Sequence, residues 1–171
     1  MGIVAYNYVV NDEIINRVLN SHSNNFFNQQ KTENNLEEYY FEKDEVLFWT
    51  GVKAWSPMYE LLKLLDTSED NILSKIHNSK YFFEETEIYD RMHIYYFSDV
   101  KIIWDVLKNI AVGDVENAIN DQDVIKKISS INGYWNERII RKQHVVMEFF
   151  ELYKAFYEAN LREKGVIMMY S

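Results

Sequence analysis

The chain has 171 residues, of which 47% are hydrophobic, and it carries a net charge of −9. This composition predicts a folded protein with a proper core and excludes a disordered chain of low hydrophobicity. The absence of cysteine excludes disulfides, thiolate nucleophiles, Fe–S clusters and zinc sites with sulfur ligands. No signal peptide is recognisable, and no apolar run approaches the roughly 20 residues that span a bilayer. We therefore expect a cytoplasmic protein without membrane contacts, folded as one domain over residues 1–171.

The first predicted elements are a strand and a helix. Residues 3–10 are rich in Val, Ile and Tyr, which is typical of a strand. Asn11 then caps a helix, whose apolar face consists of Ile14, Ile15, Val18 and Leu19. The Asn-rich residues 20–35 predict a mobile loop. The aromatic and acidic residues 36–51 are expected to become helical near their end, with Gly51 as the C-cap.

The middle of the chain predicts a second strand between short helices. Ser56-Pro57 marks a helix start, because proline at the first helical position loses no needed hydrogen bond. Ser68 begins another short helix. Residues 91–97 predict a strand, and Ser98 is expected to cap the helix that follows it. Two further helices are expected near residues 115–120 and 122–129, before a turn at Asn132-Gly133.

Residues 136–164 predict one long C-terminal helix. Its apolar arc would consist of Ile139, Val146, Phe149, Phe150, Tyr153, Phe156, Tyr157 and Leu161. We therefore expect Phe150 and Tyr153 to be largely buried, and His144 and Glu148 to form an exposed pair rather than a catalytic dyad. Gly165 would cap the helix before a final strand over residues 166–170. The predicted fold is α+β, a small mixed sheet of N-terminal, middle and C-terminal strands packed by several helices including this long one.

The excess negative charge lies in one third of the chain. Residues 33–90 contain 14 acids, five lysines and no arginine, which gives −9, whereas the segments before and after them are balanced. A surface of one sign steers oppositely charged partners towards it. If residues 33–90 fold into one contiguous surface, the sequence predicts an acidic face that meets a basic partner. The alternative is that the carboxylates are scattered around the domain and only aid solubility.

The densest group of ionisable side chains within this region is the candidate site. It consists of Glu84, Glu85, Glu87, Asp90 and His93. Two interpretations stay open, a partner-binding acidic surface and the acid–base or metal-binding centre of a small hydrolase or metal-dependent enzyme. The sequence holds too few nitrogen ligands for a closed zinc site, so we predict no structural metal and no cofactor.

The positions of the glycine and aromatic residues argue against phosphate, dinucleotide and nucleic-acid ligands. The five glycines are isolated, which argues against a phosphate-binding loop or a dinucleotide site. Aromatic residues make up 16% of the chain and could stack on bases, but such platforms accompany a positive groove. Because the aromatic-rich middle of the chain is negative, we predict packing and interface roles for these side chains and no nucleic-acid partner.

Several short motifs resemble one known family. They are Met1-Gly2-Ile3 before a strand, Leu47-Phe48-Trp49-Thr50-Gly51, Tyr96-Phe97-Ser98-Asp99-Val100, and Phe149 to Tyr157 followed by Gly165 and the strand Val166 to Tyr170. Together they resemble the bacterial YfbM-like proteins, domain of unknown function 1877. Glu42 and Val46 stand about where that family usually has Trp and His. The resemblance implies an α+β domain of bacterial origin and no established activity.

The functional prediction is a non-catalytic interaction module that presents its acidic face to a basic protein partner. The alternative is the small hydrolase or metal-dependent enzyme that uses the cluster from Glu84 to His93. The two differ in geometry, because an enzyme needs these groups to line one pocket and a module needs them on a broad exposed surface.

Overall fold

A computed structural model describes residues 4–23, 46–84, 91–131 and 141–170. Its first strands and helices are β1 (Ala5–Val10), α1 (Asp12–Ser23), β2 (Val46–Phe48), α2 (Trp55–Leu65) and a 3₁₀ helix (Ile72–His77). The hairpin strands β3 (Tyr81–Glu84) and β4 (Arg91–Tyr95) follow. The chain then forms α3 (Phe97–Leu107), α4 (Val112–Asn120), α5 (Gln122–Ile131), α6 (Lys142–Leu161) and β5 (Gly165–Tyr170).

Among the described residues, five strands form one sheet in the order β2-β1-β5-β4-β3. The predicted N-terminal, middle and C-terminal strands are its three central strands, so the α+β fold is confirmed. All four pairings between neighbouring strands are antiparallel, where the prediction was a mixed sheet. The central pairings are long: β5 pairs with β1 from Gly165 to Tyr170 and with β4 from Val166 to Tyr170.

The alternation of side chains along the strands separates two apolar layers. On one face of the sheet, Val9, Tyr95, Val166 and Met168 join the larger core with helices α2 to α6. On the other face, Met92, Ile94, Ile167 and Met169 pack against α1 through Ile14, Ile15 and Val18. The sheet therefore lies between α1 and the remaining helices, and α6 contacts β1, β2 and β5 on the larger side.

Three of the predicted helix starts lie elsewhere. The helix α3 begins at Phe97, and the Asp99 carboxylate, rather than the Ser98 hydroxyl, accepts the backbone N–H of Tyr96 at 3.2 Å. The 3₁₀ helix begins at Ile72, four residues after Ser68, with Asn71 as its N-cap. The Ser68 Oγ still accepts the Ile72 N–H at 3.0 Å. The helix α2 begins at Trp55, so Pro57 is its third residue and still needs no intrahelical partner.

Several predicted boundaries were wrong. The helix α1 continues to Ser23, so the loop predicted from residue 20 does not begin before residue 24. Residues 46–48 form the edge strand β2 instead of a helix, and Gly51 (φ 69°) lies in the turn after it. Residues 24–35 of the predicted loop, residues 36–45, and the turn at residues 132–133 lie outside the described residues.

The C-terminal helix begins at Lys142, with Arg141 as an extended N-cap, and not at residue 136; residues 136–140 lie outside the described residues. Glu163, with φ 55°, takes the left-handed position after this helix, and Gly165 is already the first residue of β5. In the described residues, no helix is long and apolar enough to cross a membrane.

Candidate functional site

The sequence-predicted site residues are only partly described. Glu84 ends β3, and its backbone pairs with Arg91 across the hairpin. His93 lies in the middle of β4, opposite Met168 of β5. Its side chain is only 5% exposed, and its Nδ1 lies 3.3 Å from the Ser79 hydroxyl. His93 is therefore an interior residue, while Glu85, Glu87 and Asp90 lie outside the described residues.

His93 belongs to an aromatic cluster at one end of the sheet. The His77 ring lies 4.2 Å from the Tyr59 ring, 5.1 Å from Trp55 and 5.8 Å from His93, measured between ring centroids. The hydroxyl of Tyr170 forms a hydrogen bond with His77 Nδ1. Burial, followed by the proximity of His93 and Lys63, lowers the pKa of His77 well below its ordinary value. Both rings of the hydrogen-bonded pair are therefore neutral near neutral pH, since burial also raises the pKa of Tyr170.

Glu148 is the ionisable residue with the most distinctive environment. It lies in α6, only 2% exposed, and its Oε2 accepts a hydrogen bond of 2.9 Å from the Thr50 hydroxyl. Burial raises the pKa of Glu148 to about 7, with the Thr50 hydrogen bond lowering it and Glu151 raising it. Its carboxyl also interacts with Tyr170. Glu148 can therefore bind or release a proton near neutrality next to the aromatic cluster.

Asn7 adds a second buried polar group on the same face of the sheet. Its side chain is buried in β1, opposite Phe48 and Met168, and its amide Nδ2 donates to the Phe48 carbonyl at 3.3 Å. Within the described ranges its Oδ1 has no hydrogen-bond partner. Asn7, His93 and Glu148 are buried polar residues of this side of the molecule, and hydrogen bonds hold each of them to a neighbouring segment.

Sequence reasoning missed Glu148, because it placed this residue on an exposed face with His144. The buried residues of α6 are Val145, Glu148, Phe149, Leu152, Ala155, Phe156 and Ala159. The buried side of α6 is rotated about the helix axis by about 100° from the predicted apolar arc, which is the angle between successive residues of a helix. Ala155 and Ala159 were the available signal, since small residues at these spacings allow a helix to approach the sheet closely.

The described part of the chain provides no group of three or more His, Asp or Glu side chains arranged to hold a metal ion. The two histidines of the aromatic cluster use ring nitrogens in contacts with Tyr170 and Ser79. The cluster is therefore a packed, hydrogen-bonded unit, and Glu148, whose pKa is raised to about 7, lies next to it.

The surface of α6 opposite its buried side carries large apolar side chains. We define the outward face of α6 as Met147, Phe150, Lys154, Tyr157 and Leu161, which recur at helical spacings of three and four. The exposed fractions of its apolar members are 47% for Met147, 48% for Phe150, 45% for Tyr157 and 63% for Leu161. The prediction that Phe150 is buried was therefore wrong, and Tyr153 is partly buried.

The acidic charge divides unevenly between described and undescribed residues. Residues 33–45 hold six acids and one lysine, residues 85–90 hold three acids, and residues 46–84 hold five acids and four lysines. These counts give −5, −3 and −1, the −9 of residues 33–90. Over the described ranges as a whole, 17 acids stand against 15 bases, a net charge of −2. The acidic excess therefore belongs to two short segments.

Comparison with known proteins identifies the fold. Neither a known protein family nor a curated protein matches the chain by sequence. The crystal structure of YfbM from Escherichia coli, described as a protein of unknown function, matches with a TM-score of 0.57 and 11% sequence identity. The match covers 98% of this chain and 99% of that one. The YfbM-like fold expected from the sequence motifs is thus confirmed, and the match carries no information on activity.

Proposed function

We propose that this protein is a non-catalytic interaction module that binds a basic partner through the carboxylates of residues 33–45 and of residues 84–90. The observation that carries the proposal is the separation of charge. The described body of the molecule is close to neutral at −2, whereas residues 33–45 and 85–90 together carry −8. Carboxylates needed only for solubility would be spread over all surfaces.

The sheet topology gives the attachment points of the two acidic segments. Residues 33–45 lead directly into β2, and residues 85–90 join β3 to β4, so each segment adjoins an outermost strand of the described sheet. Four strand spacings separate β2 from β3, about 19 Å at about 4.8 Å each. This distance exceeds the Debye length of about 8 Å at physiological ionic strength. The electrostatic repulsion between charges at these two positions is therefore largely screened.

The candidate residues Glu84, Glu85, Glu87 and Asp90 keep their proposed role as part of the partner-binding surface. His93 takes no part in this surface, because its side chain is buried. An enzyme would need His93 and these carboxylates to converge on one open cavity. The burial of His93 and its contact with Ser79 favour the interaction module over the hydrolase or metal-dependent enzyme.

The proposal is tested by measuring association rates with a lysine-rich helical peptide that carries a fluorophore. The test variant combines Glu85→Gln, Glu87→Gln and Asp90→Asn. The matched control combines Glu69→Gln, Asp70→Asn and Glu116→Gln, which are exposed and remove the same charge from the body of the molecule. At low salt we expect the test variant to associate about threefold more slowly than the control variant, because local charge steers the encounter.

Equal rates for the two triple variants would contradict the proposal, since only the net charge of the protein would then matter. A dissociation rate that changes more than the association rate would also contradict electrostatic steering. A glutamate-rich peptide of the same length serves as the negative probe, and we expect it not to bind.

A further inference from the structure

We propose that the cleft between the 3₁₀ helix and α3 binds a small branched-chain carboxylate. Three segments line this cleft: the end of the 3₁₀ helix with the residues that follow it, the end of β4, and the first turns of α3. Its volume is about 330 Å³, at the lower end of the range of about 300–1,000 Å³ that small-molecule sites occupy. The size of the cleft therefore selects a small ligand. Its lining includes Lys75, Ser79, Lys80, Tyr95, Asp99 and Ile102.

Two lysines give the cleft a positive rim. Lys75 and Lys80 both line it and are exposed. Several other lysines of the described residues pair with a carboxylate three positions away on their own helix, namely Lys63, Lys108, Lys126 and Lys154. In the same described part of the chain, no carboxylate lies within ion-pair distance of the Lys75 ammonium. A bound anion would supply the negative charge that Lys75 lacks.

The carboxylate of Asp99, which also lines the cleft, is already used by the fold. Its Oδ2 accepts the Tyr96 N–H at 3.2 Å at the N-terminus of α3, where the helix dipole favours a negative charge. One aspartate against two lysines leaves the cleft with a charge of +1, opposite in sign to the −9 of the whole chain. This charge favours an anion with a single negative charge, such as a carboxylate.

Hydrogen bonds hold the base of the cleft in place. Tyr95 is only 2% exposed, and its hydroxyl donates to the Ile76 carbonyl oxygen and lies 3.1 Å from that of Lys75. The same hydroxyl interacts with the Ser79 side chain, whose Oγ lies 3.3 Å from His93 Nδ1. These contacts connect the 3₁₀ helix and Ser79 to β4. The cleft is therefore formed before a ligand binds, which reduces the conformational entropy lost on binding.

An exposed isoleucine provides the contact for the hydrocarbon part of the ligand. Ile102 lines the cleft and is 48% exposed, next to the buried Ile103. Contact with a branched hydrocarbon would remove apolar surface of Ile102 from water, which is favourable. An inorganic anion would meet the lysines and leave Ile102 in water. The cleft therefore suits a carboxylate with a branched hydrocarbon tail.

NMR titration of the full chain with 4-methylpentanoate tests the proposal. This probe is ionised at neutral pH and ends in a branched hydrocarbon. We expect saturable shifts of the backbone amide signals of Ser79, Lys80 and Ile102, and about tenfold weaker binding of the uncharged 4-methylpentanamide. The absence of saturable shifts at these amides, or equal affinities for the carboxylate and the amide, would overturn the proposal.

A pair of double variants tests the lysines. Lys75→Gln combined with Lys80→Gln should raise the dissociation constant of 4-methylpentanoate about fivefold, because the positive rim is lost. The matched control combines Lys126→Gln with Lys127→Gln, which removes the same charge from exposed positions on α5 and should leave the dissociation constant unchanged. Equal dissociation constants for the two double variants would contradict a cationic rim.

Ile102→Ala tests the apolar contact. We expect the dissociation constant of 4-methylpentanoate to rise about threefold, since less apolar surface is buried. Ile131→Ala is the control, because Ile131 is 54% exposed on α5, and it should change nothing. An equal effect of the two variants would overturn the contact with a hydrocarbon tail. Binding in the cleft and binding of a basic partner fail separately, because none of these variants alters a carboxylate of residues 33–45 or 84–90.

Discussion

Glu148 joins two distant segments of the chain through one hydrogen bond. Glu148 lies on the buried side of α6, where its carboxylate accepts a hydrogen bond from the Thr50 hydroxyl. The same hydroxyl oxygen accepts a hydrogen bond of 3.1 Å from the Val52 N–H. These hydrogen bonds connect the turn after β2 to the C-terminal helix α6. The burial of this carboxyl disfavours its ionised form more than the Thr50 hydrogen bond favours it, which is the physical reason that its pKa rises to about 7.

The ionisation of Glu148 should make stability depend on pH. Between its ordinary value of 4.5 and about 7, the unfolded chain releases the proton while the folded chain keeps it. Stability should therefore fall as the pH rises through this window, by about 3 kcal/mol in total. Urea unfolding of the parent protein and of Glu148→Gln, from about pH 5 to about pH 8, measures the difference.

His77 has the opposite effect on the pH dependence of stability. Because both proteins contain His77, subtracting the free energies of unfolding of Glu148→Gln from those of the parent protein leaves the contribution of Glu148. Because the pKa of His77 is lowered, the unfolded chain takes up a proton there first as the pH falls, and stability decreases below the ordinary value of 6.5. Glu116→Gln is the control, since Glu116 is exposed. If Glu148→Gln left the pH profile as steep as in the parent protein, Glu148 would not be a buried proton-binding group.

The helix α6 carries apolar side chains on two sides, and this is why its orientation was misjudged from the sequence. Aromatic residues dominated the predicted arc, so Phe150, Tyr157 and Leu161 were placed in the core. The observed core side uses Ala155 and Ala159, which let the helix lie close to its neighbours. Periodicity alone cannot choose between two apolar sides of one helix.

The adjacent pair Phe149 and Phe150 tests this orientation. Phe149 is fully buried and contacts Tyr153, whereas Phe150 is half exposed. We expect Phe149→Ala to lower the free energy of unfolding by about 3–5 kcal/mol, because it leaves a cavity of aromatic size. Phe150→Ala should cost less than about 1 kcal/mol. Equal losses in urea unfolding would show that the assigned side of α6 is wrong.

Gly165 is required by a close approach between β5 and two other elements. A Cβ at this position would collide with the Ile15 side chain and with the carbonyl oxygen of Tyr95. Gly165→Ala should therefore destabilise the protein by about 1–3 kcal/mol, as overpacking does. Gly113→Ala in α4 is the matched control, because a Cβ there meets no atom within 4 Å. A melting temperature of Gly165→Ala equal to that of Gly113→Ala would contradict this role.

At the scale of the whole molecule, local patterns predicted the central strands and most helices. Local composition placed the three central strands, since β1, β4 and β5 lie within or over the predicted residues 3–10, 91–97 and 166–170. The predicted middle strand was too long, because β4 ends at Tyr95 and Phe97 already begins α3. The strands β2 and β3 were missed, because they are short edge strands of three and four residues. The pairing of β2 with β1 also joins segments about 40 residues apart, which a local pattern does not show. The strand order likewise depends on contacts between distant segments, which no local pattern encodes.

The candidate site was predicted less well than the fold. Among the described site residues, the sequence treated His93 as part of an exposed acidic group, although its position in β4 directs it into the core. Burial of a strand residue depends on which face of the sheet the helices cover. The charge of residues 33–90, in contrast, follows from the sequence alone, and it remains the basis of the proposed function.

The salt dependence of association tests the central claim most directly. The measurement is the association rate of the lysine-rich peptide from about 20 mM to about 200 mM salt, for the parent protein and for a variant that combines Glu37→Gln, Glu38→Gln and Glu42→Gln. We predict that the rate falls steeply with salt for the parent protein and less steeply for the variant, because the acidic segments supply the attraction. A rate that is independent of salt, or slopes that are the same for both proteins, would contradict the account.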